Sequence, residues 1–211
     1  MGRGMTGGPE DRKGEAPRRH PVLAELLDHW ESLRAGRIAP LRSEIDPRRI
    51  ENVLRHAFIL ERTAGNEARI RIAGMALCEL MGMEIRAMPA TALIAPEARE
   101  RFAGLLARLF ARPEIVELRL MDSRGGMGAE MMLLPMKSDR GGITRILGCL
   151  VAEGEATAPP HRFDITGHSA TRIIARAEPE RAAEHAGFAE PAQPFAPAPK
   201  RRMRGHLRLV K

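Results

Sequence analysis

The sequence predicts an α+β fold: one five-stranded antiparallel sheet, a helical insertion on one face, and an amphipathic helix leading the chain. Three observations carry this. Five short runs with strand character fall between residues 56 and 153. A helical segment separates the second run from the third. The connections among the last three, "SRGGMG" and "SDRGG", are too short for parallel crossovers, so those strands pair antiparallel.

Residues 1–20 mix Gly, Pro and charge without periodicity and read as a disordered tail. In "HPVLAELLDHWESLRAGR", Leu23, Leu26, Leu27, Trp30 and Leu33 make one apolar stripe at helical spacing. Pro21 suits the start of that helix and Gly36 its end. The stripe must bury against its own sheet or a partner's, so these five residues are the interface candidates. A linker with prolines at both ends follows. Asp46 then reads as an N-cap with Pro47 at the first position of a short helix running to about Leu54.

"HAFILER" and "ARIRIAG" read as a hairpin around "TAGNE". Arg69 and Arg71 alternate with Ile70 and Ile72, which predicts one solvated face; the alternative, in an edge strand, is that they pair with acids on a partner or on the leading helix, such as Glu25 or Asp28. Gly74 is expected to permit a sharp turn into the short run Met75–Met81. Pro96 opens a helix whose apolar face is Phe102, Leu105, Leu106, Leu109 and Phe110, and Pro113 stops it. The strands "EIVELRLMD", "AEMMLLPM" and "ITRILGCLVAE" follow. The continuous apolar runs 131–134 and 146–151 predict strands covered on both faces. Beyond about residue 155 no period survives. Residues 155–211 read as a largely disordered basic tail, with room for one helical stretch over 170–186. The folded domain is thus expected over 21–154.

The net charge of +7 belongs to the ends. Lys/Arg and Asp/Glu cancel over residues 21–155, whereas "KRRMRGHLRLVK" at 200–211 holds positive charge alone. Lys200, Arg201, Arg202, Arg204, Arg208 and Lys211 are therefore candidates for binding nucleic acid or an anionic membrane surface. The stacking aromatics that single-strand recognition uses are missing from that stretch. No apolar run is long enough to span a bilayer and the first twenty residues hold no apolar h-region, so the expectation is cytoplasmic, with Cys78 and Cys149 reduced.

Several motifs carry a family likeness: "W-x-x-L-R-x-G-R-x-x-P-x-R-x-x-I-D-P" from Trp30 to Pro47, "R-I-A-G-M-A-L" from Arg71 to Leu77, the Gly82 turn, "LLPM" from Leu133, and "R-I-L-G" from Arg145. The chain resembles the stand-alone alphaproteobacterial PAS domains that carry an N-terminal helix, over about residues 21–153. The resemblance implies a sensory or protein-interaction module, often dimeric, and not an enzyme. It also implies short helices facing the sheet across a cavity. Leu77, Leu80, Met81 and Met88 would then meet Phe102, Leu105, Leu106 and Leu109, either as plain core or as the wall of a small apolar pocket. Methionine, with 12 copies in the chain, suits both.

Cofactors are tested by residue type. The 96–112 helix holds no His, Cys, Met or Tyr to ligate haem iron. The Asn-Cys-Arg motif of photoreactive flavin relatives is missing, and Cys78 and Cys149 read as small hydrophobes. The seven histidines, His20, His29, His56, His161, His168, His185 and His206, show no zinc spacing. No phosphate loop, nucleophile elbow or catalytic carboxylate pair stands out. No cofactor or metal is expected. The reading is a non-enzymatic sensor or adaptor that dimerises and works through a separate output protein. The alternative is an anion-binding regulator using the basic tail.

Overall fold

In the computed structural model, which describes residues 19–64, 67–139, 141–155 and 157–175, the leading stripe folds as α1 (Pro21–Arg34). His20 is its N-cap: Nδ1 accepts a hydrogen bond from the Val22 amide at 3.2 Å, and Pro21 takes the first turn. The helix ends where Ala35 and Gly36 turn left-handed, with φ of 47° and 85°. Asp46 caps a 3-10 turn, Pro47–Ile50, as expected, and α2 (Glu51–Leu54) continues it.

The hairpin β1 (Ala57–Arg62) and β2 (Ala68–Ala73) leads into α3 (Met75–Met81). Short 3-10 turns precede α4 (Arg99–Ala111), and β3 (Glu114–Asp122), β4 (Met127–Lys137) and β5 (Ile143–Gly154) follow. The sheet has six strands, not five. β6 (Phe163–Arg172) joins it at the β3 edge, giving the order β2-β1-β5-β4-β3-β6 with every pair antiparallel. This corrects the expectation of a largely disordered chain after residue 155, and Ala170–Arg172 are strand, not helix. Residues 176–211 lie outside the described residues, as do 1–18.

The sheet separates two apolar layers. On the inner face, α3, α4 and the turns between them cover Phe58, Leu60, Ile70, Leu118, Met131 and Leu150. On the outer face, α1 and α2 cover Ala57, Ile59, Met132, Leu134, Leu147 and Cys149. Central β4 and β5 are therefore buried on both sides, which is why 131–134 and 146–151 are continuously apolar.

Candidate functional site

The eight residues expected around a pocket do come together. Leu77, Met81, Phe102, Leu105, Leu106 and Leu109 are buried in the inner cluster, and Leu80 and Met88 pack against it. They meet as close-packed core. A cleft of about 320 Å³ opens beside α3, and of the eight only Leu80 reaches it. The glycine at the start of α3 works differently from the expectation. Gly74 has φ −71°, an ordinary angle, so conformational freedom is not its role. A Cβ there would sit 2.2 Å from the Arg55 carbonyl oxygen. Glycine is present because α3 must start against the backbone at the end of α2. The Ala76 amide donates to that same Arg55 carbonyl at 3.0 Å, which fixes α3 on the sheet.

The outer face is built around α1. Leu23, Leu26 and Trp30 are buried against it, and Leu27 packs at its margin. Leu33 is half-buried. Trp30 Nε1 donates to the Pro135 carbonyl on β4 at 2.9 Å, so its polar edge is satisfied inside an apolar layer. The arginines after Trp30 fasten the helix's far end. Arg34 lies over the Trp30 ring at 5.5 Å, and Arg37 donates to the Leu33 carbonyl at 2.6 Å and to Glu44 at 2.8 Å. Burial works to raise the Glu44 pKa, but the Leu41 amide and the Arg37 guanidinium outweigh it and hold the carboxyl below its usual range. The linker is stitched to β4 where the Lys137 amide donates to the Pro40 carbonyl at 2.9 Å. At the opposite end of α1, beside buried Leu23, the polar contacts among the described residues are the Arg19–Glu117 ion pair, the His20 amide on Glu130, and His20 Nε2 at 3.2 Å from Glu153.

One residue on the buried side of α1 is under electrostatic tension. His29 is buried, and its Nε2 has no hydrogen-bond partner. Burial first and the Arg49 charge second push its pKa below the usual value, against a weaker opposite pull from Asp46. Cys149 shares this layer. Burial pushes its thiol up to about 12, so it behaves as the small hydrophobe the sequence suggested. Arg69 and Arg71 do not reach α1. Arg69 pairs with Glu67 and Arg71 with Glu61, which also takes Arg145.

The polar centre that sequence reasoning missed lies at the far end of β3. Asp122 Oδ2 is 2.5 Å from His161 Nδ1, and both side chains are buried. Asp122 Oδ1 accepts from the Arg124 amide at 3.1 Å. The Arg124 guanidinium donates to the Ala158 carbonyl at 2.7 Å. Burial works to raise the Asp122 pKa, but His161, the Arg124 amide and the nearby guanidinium overcome it and the net shift is downward. His161 Nε2 faces the Thr157 carbonyl at 3.0 Å, and the His161 amide donates to the Leu80 carbonyl near the end of α3. Both ring nitrogens thus face oxygen acceptors within the chain. The pair ties β3, α3 and the approach to β6 together, and His161 also lines the cleft of about 320 Å³ beside α3. The partners are 39 residues apart and His161 follows a Pro-Pro step in a stretch without period, so no local signal marks them.

The six basic tail candidates, Lys200, Arg201, Arg202, Arg204, Arg208 and Lys211, and His185 and His206 lie outside the described residues. Among the described residues no group of His, Cys, Asp and Glu is placed to hold a metal, and no helix is long and apolar enough to cross a membrane.

This architecture, a single antiparallel sheet with short helices on its inner face, defines an α+β module. The sequence matches the family described as "PAS domain" over residues 18–151, well over half of the chain, and the chain belongs to that family. Among solved structures, one described as "Flavin Analogue Sheds Light on Light-Oxygen-Voltage Domain Mechanism" is similar at 15% identity and a TM-score of 0.37. The similarity covers 51% of this chain and 84% of that one. No curated protein matches the chain. Family membership assigns a sensory or signalling role to the domain.

Proposed function

We propose that this chain is a cytoplasmic, non-enzymatic PAS-type sensor or adaptor that works through dimerisation and contact with a separate output protein. α1 is the element that changes state. The observation that carries this reading is the way α1 is fastened. It covers the apolar outer face of β4 and β5 through Leu23, Leu26 and Trp30, and the ion pairs flanking it among the described residues, Arg19–Glu117 before it and Arg37–Glu44 after it, are both partly exposed. Exposed ion pairs contribute little, about 0–1 kcal/mol each. The helix is therefore held chiefly by its apolar stripe, with the polar contacts at either end adding little. A partner that prefers the uncovered face, or a second copy that exchanges α1, shifts the population between closed and open arrangements.

The inner cluster serves this mechanism as a rigid support. Its eight named residues couple α3 and α4 to the sheet whose other face α1 covers. The buried state of both His161 ring nitrogens favours an architectural role for the Asp122 pair over a catalytic one.

The test is the double variant Leu26→Asp and Trp30→Asp, measured by thermal melting and by light scattering after size exclusion. Two carboxylates against Met132, Leu134 and Leu147 should expel α1, lower the melting temperature and change the oligomeric state. Unchanged stability together with an unchanged oligomeric state would remove α1 from the mechanism.

A further inference from the structure

The alternation of β2 breaks at Arg71. β1 and β2 pair as Leu60 with Ile70 and Ile59 with Ile72, which leaves Arg71 in a bulge. Ile70 stays in the inner cluster, while Ile72 turns to the outer face beside Ile59. There it lines an apolar cleft of about 230 Å³ with Ile45, Ile50, Leu54, Ile59 and Leu147. Ile72 is 46% exposed and Leu54 40%. Met75, which follows Gly74 of the cleft wall, is 68% exposed. Half of the exposed large apolar side chains among the described residues therefore gather at this one edge of the sheet. A concentrated apolar patch of this kind marks an interaction surface, whereas scattered ones do not.

Charge defines the occupant. Arg42 lines the cleft, and Arg48 and Arg49 project from the turn that supplies its Ile50 wall. None of the three makes an ion pair among the described residues. The acids nearby are already engaged. Glu44 is held by Arg37 at 2.8 Å, Glu61 by Arg71 and Arg145, and Glu79 by Arg55 at 2.7 Å. Asp46 accepts from the Arg48 amide at 3.0 Å but forms no ion pair among the described residues, so its charge offsets one of the three guanidiniums. Glu51 is the acid left over on this stretch of chain. The cleft is thus greasy inside with surplus guanidinium at its rim.

We infer that this cleft docks an acidic amphipathic segment of a separate protein chain, with apolar anchors entering between Leu54 and Ile72 and carboxylates meeting Arg42, Arg48 and Arg49. Planar guanidinium forks suit carboxylates, and helix-in-groove recognition supplies the anchors at i, i+3, i+4 and i+7. The inference rests on the adaptor reading above and names the chemistry of the output partner.

The test uses the full chain and a fluorescein-labelled helical peptide with leucines at those spacings and glutamates between them. A matched peptide carries lysines in place of the glutamates. The acidic peptide should bind, and the lysine peptide should bind about tenfold more weakly or worse, a difference of about 1.4 kcal/mol. Ile72→Ser and Arg42→Glu, both at solvent-accessible positions, should each weaken the acidic peptide about tenfold. Amide shifts on binding should centre on Ile45, Leu54 and Ile72. Equal binding of both peptides, no binding of the acidic one, or indifference to both variants overturns the inference. So does an Ile72→Ser chain that changes oligomeric state without peptide, which would give the cleft to a second copy. The Leu26/Trp30 measurement reads α1 without any peptide, so failure here with success there removes the docking site alone.

Discussion

At the scale of single residues, His29 makes the most direct statement about how α1 is held. Its folded pKa lies below 6.5, the value it regains on unfolding. The unfolded chain therefore takes up the proton first, and stability falls as pH drops below about 6.5 toward the folded value. Asp122 and Glu44 are also lowered, from 3.8 and 4.5, so their losses come at more acid pH and do not overlap this window. A melting series from about pH 7.5 to 5.5 should show the midpoint falling. His29→Leu removes both the titration and the unpaired Nε2, and should flatten the series. An equally steep series in the variant would place the proton elsewhere. None of this was readable beforehand. His29 sits one residue before Trp30, outside the apolar stripe read from the sequence, and its neighbour Arg49 arrives through the fold.

At the scale of elements, glycines separate two physical demands that look alike in sequence. Gly74 stands where α3 meets the carbonyls of Leu54 and Arg55, and Gly104 stands mid-helix in α4 with nothing within 4 Å of its missing Cβ. Gly74→Ala forces backbone apart and should destabilise by about 1–3 kcal/mol or more. Gly104→Ala gains helix propensity and should stabilise by about 0.5–1 kcal/mol. Chemical denaturation of the two variants checks both signs, and matching losses would contradict the contact argument.

Elements with two buried faces or a clean amphipathic period were legible: α1, α4, β3, β4 and β5 fall where their apolar patterns put them. The misses share a cause. β6 buries Phe163 and Ile165 and then runs almost wholly exposed past a bulge opposite Arg119, so no alternation survives. In β2, the bulge at Arg71 reverses the faces, so "RIRI" reads as one solvated arginine face while Ile72 points outward. An edge strand needs little core, and a bulge erases its period.

At the scale of the whole molecule, the sandwich of α1, sheet and inner helices was visible in the sequence because each layer needs its own apolar stripe. The functional surfaces were less so. The expected pocket residues converge, but as packing between Met81, Phe102 and Leu109. The Asp122–His161 pair joins residues 39 apart and the Ile72 cleft depends on a bulge in β2, neither of which pattern alone registers. What unites the molecule is a firm sheet with a cover held by an apolar stripe and flanked by partly exposed polar contacts, Arg37 and Glu44 behind, Arg19 and His20 in front. Amide hydrogen exchange under native conditions tests that arrangement most directly, since it ranks segments by the free energy needed to open them. α1 should be protected, yet exchange through an opening well below that of β4 and β5. If α1 exchanges only together with the central strands, it is ordinary core and the releasable cover does not exist.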